Sequence, residues 1–157
     1  MTRSFWIEFE GDEPYDVLLS TSEALLEADY FGPAVVTAQT ACEVITEDAI
    51  SIWLRAARNR AGDRRKEELV SMLIDSFQTY ALTNSRVCQT YMILSKDSIR
   101  EQPFWESYTK LVKLRHRVVH KGYVTTKDDA ERSLATAREL VAHIKATFPT
   151  KEEPLIT

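Results

Sequence analysis

Only four glycines and five prolines interrupt the 157 residues of this chain. A sandwich or barrel of short strands needs a tight turn every few residues, and these positions are too sparse to supply them. The intervals suit helices instead. Pro33 fits a first helical position, and no glycine or proline follows it until Gly62. The expected fold class is all-α, a helical bundle of about five principal helices with a short extended N-terminal segment.

Periodicity refines this. Residues 1–12 form an arm or strand candidate, because Phe5, Trp6, Ile7 and Phe9 partly alternate with polar neighbours. Tyr15, Leu18, Leu19, Ser22, Leu25 and Leu26 recur at helical spacing from Pro14 to about Asp29, and a long second helix is expected over about 33–58. Asp63 suits the cap of a third helix with Leu69, Met72, Leu73, Phe77 and Tyr80 as its buried stripe. Asn84-Ser85 marks a break, Val87–Leu94 a short apolar segment, and Ser95–Ser98 a loop. Pro103 opens a fourth helix that Gly122 ends, and Thr126 with Asp129 resembles a capping box for a last helix to about Phe148. The helical domain is thus expected over 13–148, with 149–157 a flexible tail.

Composition narrows the class. Apolar residues at 44% and charged residues at 28% are near globular averages, which excludes a disordered or fibrous chain. No apolar run approaches the ~18 residues needed to cross a bilayer, and no signal-like stretch opens the chain, so a cytoplasmic protein is expected. Cys42 and Cys88 are the only cysteines, too few for a disulfide framework or a four-thiolate zinc site, and read as reduced core thiols. The net charge of −4 hides an asymmetry: residues 1–54 hold one basic residue, Arg3, against eleven acids, leaving nineteen basic and thirteen acidic for the remainder. Either the two parts attract each other, or the basic part faces a polyanion. Walker, dinucleotide, serine-elbow and cysteine-nucleophile signatures are absent.

The fourth helix carries the chemistry. With Leu111 at 0°, Leu114, Val118, Val119 and Val112 fall at ~300°, ~340°, ~80° and ~100°, with Phe104, Tyr108 and Trp105 on the same side. Arg115 at ~40° lies in the middle of that apolar face. A guanidinium there needs a carboxylate, a phosphate or a wet interface, so both a structural ion pair and a phosphate-binding role are open. His116 and His120 fall at ~140° and ~180°, on the border with a basic side made by Lys110, Lys113, Arg117 and Lys121. Two imidazoles beside such a surface can move protons while the cations hold phosphate. As metal ligands, two are too few.

The stretch Leu111-Val-Lys-Leu-Arg115-His116-Arg117-Val-Val-His120-Lys-Gly122, ahead of a final amphipathic helix, resembles the Arg-polar-x3-His motif of the HEPN (higher eukaryotes and prokaryotes nucleotide-binding) domain family. Arg115, His116 and His120 match it in order, and the likeness covers roughly residues 14–148. The resemblance implies a HEPN-like bundle that pairs as a homodimer with the motif at the interface. It also implies a metal-independent endoribonuclease without cofactor, acting on RNA as a toxin or defence effector. Under it Arg115, His120 and His116 are the catalytic candidates, with Lys113, Arg117 and Lys121 binding RNA. A neutralising antitoxin such as a nucleotidyltransferase is a further implied partner. The different-class alternative is a non-catalytic HEPN module for dimerisation or for nucleotide or protein binding.

Three further expectations stand beside this. On the long helix Gln39, Thr46 and Glu43 fall within ~80° of Val35, so Glu43 is expected on the buried side, where it could pair with and orient Arg115. Arg55, Arg58, Arg60, Arg64, Arg65 and Lys66 form a second basic cluster, either an RNA-backbone track or a solvated loop. His143 lies ~180° from Leu134 on the last helix and is expected to be exposed.

Overall fold

The computed structural model describes residues 12–61, 68, 71, 72 and 74–148, with the backbone alone for 57–61. The N-terminal aromatics Phe5, Trp6 and Phe9, the tail from Pro149, and Arg64, Arg65 and Lys66 lie outside the described residues. The fold is all-α: α1 (Pro14–Glu27), α2 (Phe31–Ala61), α3 (Ser85–Ser95), α4 (Trp105–Lys121) and α5 (Lys127–Ala146), with a 3-10 turn at Ile99–Glu101. No strand occurs among the described residues, and none of their helices is long and apolar enough to cross a membrane.

Long α2 is the central element, packed against each of the other four helices. Its buried stripe, Val35, Ala38, Ala41, Cys42, Ile45, Ala49 and Ile50, mixes small and branched residues, so neighbouring backbones come close while the gaps are filled. Ser22 on α1 donates to the carbonyl of Ala34 at 2.9 Å, satisfying a buried hydroxyl at that contact. Burial pushes the Cys42 thiol well above its ordinary value, as expected of a reduced core residue.

The α1–α2 corner is a Schellman turn made without glycine. Tyr30 donates its N–H to Leu25 O at 2.8 Å and Asp29 to Leu26 O at 3.1 Å, while Asp29 adopts φ 62°. An L-residue pays for that left-handed conformation, aspartate less than most. Asp29→Gly is therefore expected to raise stability by about 0.5–1 kcal/mol, read as a higher urea midpoint at unchanged slope.

Two expectations about the middle of the chain are corrected. Val87–Leu94 belongs to a full helix, α3, because Asn84 Oδ1 accepts from the N–H groups of Arg86 and Val87 at 3.0 and 3.3 Å. The expected third-helix stripe holds only in part: Phe77 and Tyr80 pack against the core, but not from a helix. Residues 71, 72, 74 and 75 are helical but Met72 is 69% exposed, and Phe77 and Tyr80 lie beyond the helix, edge to face at 5.9 Å. Leu69 and Leu73 lie outside the described side chains.

The capping box at the start of α5 forms as expected, with Thr126 N–H donating to Asp129 Oδ2 at 3.2 Å and Asp129 N–H to Thr126 Oγ1 at 3.1 Å. Helix α5 then lies along acidic α1, pairing Arg138 with Glu23 and Lys145 with Asp16, each at 2.9 Å. Part of the sequence's charge asymmetry is spent in this contact, though such half-exposed pairs contribute little each.

His143 is not exposed as expected but half-buried. Its Nε2 lies 2.8 Å from Asp97 Oδ2, which also accepts from the Tyr91 hydroxyl at 2.8 Å, and Phe104 meets the imidazole edge-on at 5.4 Å. Tyr91 is fully buried. Asp97→Ala leaves both donors short of a partner and is expected to cost about 1–3 kcal/mol, measured as a lower urea midpoint.

Candidate catalytic face and groove on α4

Helix α4 is anchored at its N-terminal half. Phe104, Tyr108 and Leu111 are buried, whereas Leu114, Arg115 and Val118 are half-buried and Val119 is 47% exposed. The expected apolar face is therefore narrower and shorter than its wheel: the last two turns run out past the core. Gly122 stops the helix at φ 60°, where a side chain is strained by the backbone conformation alone, since a Cβ would meet nothing within 4 Å. Arg117 O receives the N–H of Gly122 and, at 3.2 Å, that of Tyr123. The Arg117 guanidinium lies 3.7 Å over the Tyr123 ring, so the turn also fixes this cation.

Against this frame the motif residues divide. His116 and His120 are exposed and touch, with ring centroids 4.6 Å apart and planes inclined at 44°. Arg115 points to the inner flank of the same turn, half-buried, and forms no ion pair among the described residues. A partly desolvated guanidinium without a carboxylate is poised to take an anion from outside the fold.

Glu43 does not supply that anion. Its Oε1 accepts weakly from Gln39 Nε2 at 3.5 Å and Thr79 Oγ1 at 3.4 Å. Gln39, which it contacts, also hydrogen-bonds Tyr108, which sets Glu43 near that hydroxyl, about two turns along α4 from Arg115. The expected Glu43–Arg115 pair is not formed, because the two share an inward direction but not a level. Gln39 Oε1 in the same buried cluster has no hydrogen-bond partner.

The basic side also divides. Lys113 and Arg117 line a groove of about 550 Å³ between α4 and α5, together with Lys110 and, from α5, Asp129, Arg132 and Thr136. Leu111, Leu114 and Ala135 supply apolar surface to the same groove. Lys121 is exposed but does not line it. Burial works against ionisation of Asp129, but hydrogen bonds from Thr126 and Arg132 and the charge of Arg132 outweigh it and hold the carboxyl below its usual range. This α5 wall was not legible in the sequence, where Arg132, three residues after the capping Asp129, was the available signal. Of the second basic cluster only Arg55 is described as a side chain, and it is exposed.

Among the described residues, no three His, Cys, Asp or Glu side chains gather so as to hold a metal ion. Comparison with protein-family models, curated proteins and solved structures gives no match.

Proposed function

We propose that the chain is a metal-independent endoribonuclease of the HEPN type, acting as a homodimer with its Arg115–His120 motif at the interface. The observation that carries this reading is the half-buried Arg115, without an ion pair among the described residues, one residue before a contacting pair of exposed imidazoles. Arg115 faces the inner flank and the imidazoles the outer one, so a second copy related by a two-fold axis offers a way to enclose a phosphate between them. One imidazole takes the proton of a ribose 2′-hydroxyl, whose oxygen attacks the adjacent phosphorus. The P–O5′ bond breaks, an imidazolium protonates the departing oxygen, and Arg115 offsets the charge that builds on the phosphoryl oxygens. His120 is the acid–base group and His116 supports it. A toxin or defence role, with an antitoxin such as a nucleotidyltransferase, would place this activity under control.

A second reading, a non-catalytic module that dimerises or binds nucleotide or a partner protein, is favoured by exposed apolar side chains at the same end. Tyr30 is 61% and Val124 86% exposed, near the packing of Gly32 against Val118 and Thr125. The deciding experiment is cleavage of mixed cellular RNA in EDTA by the wild type, Arg115→Ala and His120→Ala, with analysis of product ends. Cleavage confined to the wild type, leaving 2′,3′-cyclic phosphate and 5′-hydroxyl ends, is the expected result. No cleavage by a folded wild-type dimer, or equal cleavage by all three, favours the binding module.

A further inference from the structure

We infer that the groove between α4 and α5 is an exosite for the backbone of a single nucleic-acid strand leading away from His120. The identity of the ligand rests on the ribonuclease reading; the groove and its charge do not.

Lys110, Lys113 and Arg117 stand at i, i+3 and i+7 on α4, covering about 10 Å of its axis, the length of about three stacked nucleotides. Arg132 faces them from α5. Lys113 and Arg117 have no carboxylate partner among the described residues. The other two cations are held only at the surface: Lys110 by exposed Glu106 at 2.7 Å, and Arg132 by exposed Asp128 at 2.7 Å and by Asp129 at 3.3 Å. Such surface pairs contribute little, so a phosphate can compete for both cations. With Glu106 and Asp128 counted beside the lining Asp129, four cations stand against three carboxylates, so the groove keeps a small positive balance that rests on Lys113 and Arg117.

Shape agrees with charge. Helices in contact lie about 8–10 Å apart, axis to axis, so the groove is an open channel over their seam rather than a gap between them. The apolar surface of Leu111, Leu114 and Ala135 suits a sugar or base face below phosphates held at the rim. Continuity with the imidazoles selects nucleic acid over an acidic peptide. Lys113 is three residues from His116 and Arg117 three from His120, so a strand leaving the rim meets the histidines within one turn.

The test is binding of a fluorescent twelve-nucleotide single-stranded RNA to the full chain in EDTA, with His120→Ala as background to prevent turnover. Arg132→Gln removes a cation from the α5 wall. Ala135→Trp, at an exposed position, obstructs the groove without changing its charge. Each variant, checked for folding by circular dichroism, is expected to weaken binding tenfold or more, and Arg132→Gln to reduce the salt slope by about 0.7. If wild type cleaves RNA yet neither variant changes its affinity, the exosite is wrong and the ribonuclease reading stands. If the RNA binds through the groove but is never cleaved, the exosite stands and the ribonuclease reading falls. A poly-glutamate peptide bound through the groove where RNA is not would overturn the nucleic-acid assignment.

Discussion

His120→Ala is expected to slow RNA cleavage by about 10²–10⁴-fold, the range for loss of a positioned general acid or base. His116→Asn is expected to slow it by less than about tenfold, because the motif that this segment resembles accepts uncharged polar residues at that position. On the proposed reading the split is unequal. His120 occupies the last turn, one residue before Lys121 and the Gly122 cap, and His116 touches it with ring centroids 4.6 Å apart, close enough for the proposed supporting role. Arg115→Lys keeps the charge but loses the planar fork, and is expected to cost about 10²–10³-fold. Single-turnover rates on one defined RNA, with enzyme in excess and unfolding curves for every variant, separate chemistry from binding and folding. A folded His120→Ala protein with the wild-type rate removes the acid–base role. Equal losses at His116 and His120 instead mean that one imidazole is the base and the other the acid.

What the sequence made legible was direction more than level. Scarce glycines and prolines located the helix breaks at Pro103 and Gly122 and set the start of α2 two residues late, at Pro33 rather than Phe31, while the Thr126–Asp129 capping box formed as expected. Helix α3 was less legible because its apolar segment is short and its start depends on one Asn84 side chain. A helical wheel has no axial coordinate. It placed Glu43 and Arg115 on inward faces but could not tell that they sit about two turns apart, nor that the core ends before Val119. It also placed His143 away from the apolar stripe of its own helix, and could not show that Asp97 arrives there from the loop after α3. The groove depends on two helices meeting, so its α4 cations were visible as a row while Arg132 opposite them was not.

Tyr108→Ala is expected to be the most destabilising single change on α4, and to show what holds the candidate site in place. The ring is fully buried beside α2, and its hydroxyl accepts the N–H of Leu82 at 2.9 Å, tying α4 to the segment that leads into α3. Burial, with Cys42 and Glu43 nearby, pushes the phenol well above its ordinary value, so this oxygen stays a neutral partner across the usable pH range. Tyr108→Phe removes only the hydroxyl, which ends its hydrogen bond with Gln39 and leaves the buried Leu82 N–H unsatisfied, a cost of about 1–3 kcal/mol. Tyr108→Ala adds an aromatic-sized cavity, for which about 3–5 kcal/mol is usual, against a total stability of about 5–15 kcal/mol. At about 2–4 °C per kcal/mol the Phe variant should melt about 2–12 °C lower, with the Ala variant lower still or unfolded at room temperature. Because Tyr108 lies about two turns before Arg115 and touches neither imidazole, folded Phe variant should cleave RNA at the wild-type rate per folded molecule. A Phe variant as stable as wild type would show that the Leu82 bond contributes nothing. A stable Phe variant with impaired cleavage would instead assign the hydroxyl to positioning the site.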